Sequence, residues 1–228
     1  MTYSATKYTE IDTSNCDTRV HHSQPKTNGE HIDNWLNFRP LDFLDVDSRF
    51  GSITNMRLFK DTMLYWQNNA TGILSINERT VLNDLSDNQI ILGTGDVLSR
   101  YDYVSTVYGM LQNQYEAEVQ SNNTQYFWDG NNKEILSYAG GTELSPLTKI
   151  KNVRSYINNN ESVQHPSLSY DNKFNEMIAS VVNDGSIVYN EQTQCFTSVY
   201  SFDPTYRAIV DDRLYYNNNN NIYRMSIE

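Results

Sequence analysis

The stretch that decides the fold is Met177-Ile-Ala-Ser-Val-Val-Asn-Asp-Gly-Ser-Ile-Val-Tyr-Asn-Glu-Gln-Thr-Gln-Cys-Phe-Thr-Ser-Val-Tyr200. Three runs rich in β-branched and aromatic residues alternate here with turns at 183–185 and 190–194. Valine, isoleucine and tyrosine favour strands, whereas Asn, Asp and Gly tolerate the left-handed backbone that tight hairpin turns need. The stretch therefore predicts three consecutive antiparallel strands.

Units of the same design recur along the chain, each with strands that contain aromatic residues and turns rich in Asn, Asp or Gly. The other strands are predicted at 56–66 and 73–76, at 125–128 and 134–138, and at 206–210, 213–216 and 222–225. Trp66 and Trp128 mark a repeat of about 60 residues, which favours β-meander blades over a helical solenoid.

These units predict an all-β fold of antiparallel β-meander blades, resembling a β-propeller, with a β-sandwich as the alternative. Residues 1–34 lack periodicity and are interpreted as an extended arm or an incomplete unit, and residues 35–228 as the propeller-like domain.

One short helix is expected between the second and third units. Ser145 is its predicted cap and Pro146 suits its first turn. The predicted buried face consists of Leu147, Ile150, Val153 and Ile157. The Asn-rich residues 158–160 end this helix, while residues 97–111 fit a helix, a strand or coil equally well.

Charge and composition restrict the possible partners. The 228 residues include 17 Lys and Arg against 28 Asp and Glu, a formal net charge of -11. An acidic surface repels phosphate backbones and anionic lipids, so neither sequence-specific nucleic-acid binding nor membrane insertion is expected. No apolar run approaches the ~20 residues of a membrane-spanning helix, and residues 1–10 show no secretion signal.

No residue pattern predicts a catalytic, cofactor or metal site. Asp45 and Asp47 could face a divalent cation, but Asp47 is more simply explained as a turn cap that pairs with Arg49. Cys16 and Cys195 form no CxxC pair and are interpreted as unpaired thiols.

The remaining small motifs are also given structural interpretations. The Gly93-Thr-Gly-Asp96 segment lacks the rest of a phosphate loop and is interpreted as a kink at the end of a strand. His21, His22 and His31 have no acidic or cysteine partner at ligand spacing and are expected to be solvated.

Several short motifs resemble the stabilization protein family of crAss-like bacteriophages, which forms the nozzle or muzzle of the tail. They include Trp35-Leu-Asn-Phe-Arg-Pro40, Phe43-Leu-Asp-Val-Asp-Ser-Arg-Phe50 and Val188-Tyr-Asn-Glu191. The fold-shaping positions of the resemblance are Trp35, Phe38, Pro40, Phe43, Asp45, Asp47, Arg49, Trp66, Asn77, Arg79, Gly93, Gly95, Arg100 and Tyr101. Members of that family are usually much longer, so the resemblance implies that this chain is a fragment, a cleaved portion or the product of a split gene.

The resemblance implies a structural, non-enzymatic protein of the virion tail that is made in the host bacterial cytoplasm. Its expected partners are other tail and portal-proximal proteins and further copies of itself in a ring, with six subunits as the expected number. Two other functions stay open at this point: a carbohydrate-binding propeller for host recognition, and a glycan-cleaving tail enzyme.

Overall fold

The computed structural model describes residues 16–24, 31, 34–76, 80–83, 89–92, 98–183, 185–201, 207–211, 213–218 and 221–225. Asn77, Arg79, Gly93 and Gly95, four of the positions that carry the family resemblance, lie outside the described residues.

Strands account for most of the described secondary structure. In chain order they are β1 (Arg19–His21), β2 (Phe43–Asp45), β3 (Ile53–Phe59), β4 (Thr62–Gln67), β5 (Thr71–Ile76), β6 (Thr80–Asn83), β7 (Gln89–Leu92), β8 (Leu98–Ser105), β9 (Glu118–Gln120), β10 (Gln125–Asp129), β11 (Glu134–Tyr138), β12 (Ser145–Pro146), β13 (Ser162–Asp171), β14 (Glu176–Val182), β15 (Ser186–Asn190), β16 (Cys195–Tyr200), β17 (Arg207–Val210), β18 (Arg213–Asn218) and β19 (Asn221–Arg224). The helices are α1 (Leu147–Ile150) and α2 (Arg154–Asn159), with 3-10 turns at Asn34–Leu36 and Ser48–Phe50.

The strands form consecutive antiparallel sheets. Sheet I has the order β3-β4-β5-β8, sheet II the order β12-β11-β10-β9, sheet III the order β13-β14-β15-β16 and sheet IV the order β17-β18-β19. Two hairpins stand beside them, β1 with β2 and β6 with β7. The fold is therefore all-β, as the sequence predicted, and the α-helices of the described residues lie between sheets II and III.

The sheets are stacked face to face in chain order. Alternate residues of a strand point to opposite faces, so β10 sends Phe127 towards sheet I and Trp128 towards sheet III. The core between sheets I and II contains Phe59, Leu64, Trp66, Met110, Phe127, Leu136 and Tyr138. The core between sheets II and III contains Tyr126, Trp128, Ile135, Leu168, Tyr170, Met177, Ala179, Val181, Ile187 and Tyr189, among others.

Two smaller cores cover the outer sheets of this stack. Val20 and Val46 pack on Tyr65 and Leu74, on the face of sheet I that points away from sheet II. Ile178 and Val188 of sheet III pack on Leu214 of sheet IV. Sheets I, II and III are thus covered on both faces, whereas sheet IV is covered on the face that meets sheet III.

Most predicted strands are confirmed, but the predicted strand at 56–66 is wrong. The chain turns at Lys60 and Asp61, so that Phe59 pairs with Thr62 and two strands replace one. Lys60 has φ 54. Asn and Gly commonly adopt this left-handed conformation and lysine rarely does, so the residue type does not predict the turn. Residues 97–111, which were ambiguous, contain strand β8.

The helix predicted after Ser145 is confirmed in its position, but its predicted cap is wrong and it is not continuous. Ser145 and Pro146 form the short strand β12 against β11, and Pro146 is extended, with φ -76 and ψ 93. The helical residues are split into α1 and α2, and Asn152 between them has φ 61. Hydrogen bonding of β12 to sheet II overrides the local helix signal because it satisfies backbone groups at the edge of the sheet.

Candidate functional site

Several polar side chains join neighbouring sheets, and the first such contact centres on Glu191. Its Oε1 accepts hydrogen bonds from the hydroxyls of Tyr126 (2.5 Å) and Ser121 (2.7 Å), both from the sheet II region. Its Oε2 accepts one from the hydroxyl of Tyr170 (2.6 Å) on sheet III. A single carboxylate therefore joins two sheets, and we call this contact the Glu191 clasp.

Burial keeps the two tyrosines of the Glu191 clasp in their protonated form. Burial, together with the adjacent Glu191 carboxylate, raises the pKa of Tyr126 and that of Tyr170 well above the ordinary value of 10.0. Both phenols therefore stay protonated as donors. Tyr126 and Tyr170 are 3% and 2% exposed, so their hydroxyls depend on Glu191 instead of water for a partner.

Arg207 of sheet IV makes the corresponding contact with sheet III. Its Nη1 donates to Ser169 Oγ (3.0 Å) and to the carbonyl of Ile178 (2.9 Å), and its Nη2 donates to Ser186 Oγ (3.0 Å) and to Ser180 Oγ. The three serines lie on three neighbouring strands and are buried. The planar guanidinium can reach all of these acceptors at once because its donors are fixed in a fork.

Glu118 joins sheets I and II. Its side chain is 8% exposed, lies 3.5 Å from Arg57 of β3 and accepts from Gln125 Nε2 at 2.5 Å. Desolvation by burial raises the pKa of Glu118, and the nearby Arg57 opposes that shift only in part. Each pair of neighbouring sheets therefore combines an apolar core with a polar contact that includes a charged side chain.

Asp129 orders the backbone around the turn between β10 and β11. Its Oδ1 accepts from the backbone N–H groups of Asn131 (2.8 Å) and Asn132 (3.1 Å), and its Oδ2 accepts from the N–H of Gly109 (3.2 Å). Asn131 Nδ2 in turn donates to the carbonyl of Asn68 (3.1 Å) in the β4–β5 turn. These contacts fix the turns of sheets I and II against each other.

Exposed apolar side chains of the described residues include groups on the segment 34–41 and on sheet IV. The first is the segment 34–41, with Trp35 64%, Leu36 81%, Phe38 61% and Leu41 84% exposed. The second lies on sheet IV, where Val210 is 52% and Ile222 80% exposed. Exposed apolar patches of this kind are typical of surfaces that bind other proteins.

The structure separates the residues of the family resemblance by their role. Trp66 is fully buried in the core between sheets I and II. Phe43 and Tyr101 are partly buried, and Arg100 is exposed and pairs with Asp102 at 2.7 Å. Trp35, Phe38 and Pro40 are exposed.

Asp45 and Asp47 each bind an arginine of their own. Asp45 pairs with Arg19 across the β1–β2 hairpin at 2.7 Å. Asp47 caps the 3-10 turn by accepting from the N–H of Arg49 (3.0 Å) and binds the Arg49 side chain, as expected from the sequence. Each arginine, through its hydrogen bonds, lowers the pKa of the aspartate that it contacts.

Sequence reasoning missed the residues that join the sheets. The sequence predicts a turn at Glu191, which also ends one motif of the family resemblance, and a strand at Arg207, but it predicts no contact between sheets for either residue. In each case the sequence shows a charged residue next to strands that contain tyrosine and serine. That pattern does not identify the side chain with which the charged residue pairs.

Within the described residues, no group of three or more His, Cys, Asp or Glu side chains is arranged to hold a metal ion. In the same part of the chain, no helix has the length and apolar character needed to cross a membrane. Cys16 and Cys195 are both exposed free thiols.

Comparison with known proteins agrees with the sequence resemblance. A family model described as Crassvirus muzzle protein matches residues 1–220. The muzzle protein of Bacteroides phage crAss001 is 24% identical over 188 residues, which make up 79% of this chain and 13% of the phage protein. The chain thus spans a small part of the length of that relative, and by the match over residues 1–220 it belongs to the Crassvirus muzzle protein family.

Proposed function

We propose that this chain is a structural module of a bacteriophage virion, located in the nozzle or muzzle of the tail, and that it acts through contacts with other proteins. The observation that carries the proposal is the stack of four sheets, in which an apolar core and a charged polar contact join each sheet to the next. In the proposed role, these contacts between sheets hold the binding surfaces for partner proteins in a fixed arrangement.

The same stack supports a propeller-like arrangement. The first strands of sheets II and III adjoin each other: the N–H of Leu168 in β13 donates to the carbonyl of Glu116, just before β9 (3.1 Å). Sheets II and III are each packed against other sheets on both faces. In a two-sheet sandwich, each sheet packs on the other through one face. In a β-propeller, four-stranded sheets are arranged radially, so each blade packs against a neighbouring blade on both faces.

The proposed mode of action is binding without catalysis. The buried carboxylates Glu134 and Asp129 and the partly buried Glu191 all accept hydrogen bonds from protein groups that position strands, helices or turns. A general acid or base needs an accessible reacting partner in a cleft, and these three groups face other parts of the protein instead. Release of reducing sugar from host capsular polysaccharide by the purified chain would contradict this part of the proposal.

The proposed partners are other tail and portal-proximal proteins together with further copies of the same chain in a ring, for which six subunits is the working number. The membership in the muzzle family supports this location. The exposed apolar side chains at both ends of the stack supply surfaces for such contacts.

The experiment that tests the function is localisation in purified virions. Antibodies against this chain, detected with gold particles by electron microscopy, are expected to label the tail tip, and mass spectrometry is expected to find its peptides in virions freed of unassembled protein. Label on the capsid, or absence of the peptides from virions that contain the other tail proteins, would refute the proposed location.

A further inference from the structure

The turn before β11 and the two short helices after β12 bring four basic residues close together. Lys149 lies in α1, Lys151 follows that helix and Arg154 begins α2. The buried Glu134, which begins β11, lies 3.1 Å from Arg154 and also accepts a hydrogen bond from α1. These contacts hold both helices against the start of β11, where Lys133 immediately precedes Glu134. We call Lys133, Lys149, Lys151 and Arg154 the basic patch.

The basic patch differs in charge from the rest of the chain. Residues 144–160, which supply three of its four cations, contain no Asp or Glu, whereas the whole chain has a net charge of -11. Glu134 is 1% exposed and binds the arginine of the patch. Among the ion pairs of the described residues, none involves a lysine of the patch, although glutamates flank residues 144–160 on the C-terminal side and nearby on the N-terminal side. The patch therefore keeps a positive charge in excess of its one carboxylate.

Buried neighbours fix the backbone of the basic patch. Leu147 and Thr148, just before its lysines, are 6% and 0% exposed. The N–H of Lys151 donates to the carbonyl of Leu147 (2.8 Å), and the N–H of Val153 donates to that of Thr148 (3.0 Å). The side chain of Ile150, between the lysines, is 57% exposed. A partner thus meets cations and an aliphatic group on a backbone that is already ordered, which lowers the entropic cost of binding.

Charge complementarity selects an anionic partner for the basic patch, and two observations favour a protein over nucleic acid. Duplex DNA carries phosphate charge along its whole length, and the acidic remainder of the chain repels it. A short acidic segment of a protein can bind the basic patch alone. Such a segment can also place an aliphatic side chain on the exposed Ile150, which a phosphate backbone cannot do.

We propose that the basic patch binds an acidic segment of another virion protein, in which Asp or Glu residues flank an aliphatic side chain. The carboxylates pair with the lysine ammonium groups, and the aliphatic side chain packs on Ile150. Exposed ion pairs are individually weak, so the contact is sensitive to salt and contributes orientation and fast association more than affinity. The inference rests on the proposed function for the partner being a virion protein, and it adds the chemistry of that partner.

Fluorescence anisotropy with labelled probes tests the proposal on the full chain. The first probe is a peptide of glutamates interspersed with leucines, the second carries serine in place of each leucine, and the third is duplex DNA of the same charge. We expect the glutamate–leucine peptide to bind most tightly and to weaken as salt rises, because exposed charges are screened beyond ~8 Å at about 0.15 M ionic strength. Ile150→Ser should abolish the preference for leucine over serine. Tighter binding of DNA than of either peptide would overturn the proposal.

Two matched charge reversals decide whether the basic patch itself is the site. Lys149→Glu together with Lys151→Glu should weaken binding of the glutamate–leucine peptide at least about tenfold, whereas Lys149→Arg with Lys151→Arg should retain it. Arg213→Glu with Arg224→Glu changes the net charge by the same amount on sheet IV, and a much smaller effect is expected. Equal weakening by the two charge reversals, or no peptide binding at low salt, would overturn the inference.

This experiment and the localisation in virions fail separately. Label at the tail tip together with no peptide binding would overturn the inference about the basic patch alone. Peptide binding by a chain that is absent from the tail would refute the proposed location alone.

Discussion

Replacement of Glu191 by alanine gives the sharpest test of how the sheets are held together. The variant leaves the hydroxyls of Tyr126 and Tyr170 buried without an acceptor, and each orphaned group costs about 1–3 kcal/mol. Ser121 Oγ, which also donates to the carbonyl of Thr124 at 3.2 Å, adds less. We therefore expect Glu191→Ala to lower the free energy of unfolding by about 2–5 kcal/mol.

Urea unfolding followed by tryptophan fluorescence measures this loss, because Trp128 lies buried in the core that the Glu191 clasp closes. The control is Glu143→Ala, an exposed glutamate for which a change within about 0.5 kcal/mol is expected.

A double-mutant cycle decides whether the cost arises from the clasp. Tyr126→Phe should destabilise the unmodified chain by about 1–3 kcal/mol, since it removes a hydrogen bond to a charged group. In the Glu191→Ala background the same change removes an orphaned hydroxyl and should be neutral or stabilising. An equal cost of Tyr126→Phe in both backgrounds would refute the reasoning.

Three further outcomes are expected from the other inter-sheet contacts. Arg207→Lys should lower the free energy of unfolding by about 1–3 kcal/mol, because one ammonium cannot replace the forked contact, while Arg213→Lys should change it little; equal effects in a urea titration would contradict this. Gly109→Ala should lower the free energy of unfolding by about 1–3 kcal/mol, because its Cβ would lie 2.3 Å from a backbone carbonyl oxygen of β4. A Cβ on Gly141 would meet nothing within 4 Å, so Gly141→Ala is the matched control in thermal melting. Glu118 has a raised pKa when folded, so its charged form penalises folding as pH rises above the ordinary value of 4.5; the melting temperature of Glu118→Gln relative to the unmodified chain should therefore be higher at pH 7 than at pH 4, and a pH-independent difference would refute it.

Local signals in the sequence were enough to predict the hairpins. Asn, Asp and Gly at 183–185 join β14 to β15, and the polar residues 191–194 join β15 to β16. Residues close in sequence therefore decide both the strands and the turns. The same local reasoning failed at Lys60, whose left-handed backbone carries no residue signal, and at Pro146, where pairing with β11 outweighs the helix-start pattern. Short-range patterns predict the wrong local structure where hydrogen bonds to a distant strand satisfy the backbone groups better.

The sequence by itself determined that this protein is built from antiparallel hairpins and, through its motifs, that it resembles phage muzzle proteins. Only the tertiary structure decided which faces of the sheets meet and which side chains join them. Glu191 meets Ser121 and Tyr126, which lie 70 and 65 residues away in sequence, and Arg207 meets Ser169 across 38 residues. Such pairs carry no local pattern, because each residue alone has the composition of an ordinary turn or strand, and their interaction exists only once the sheets have stacked.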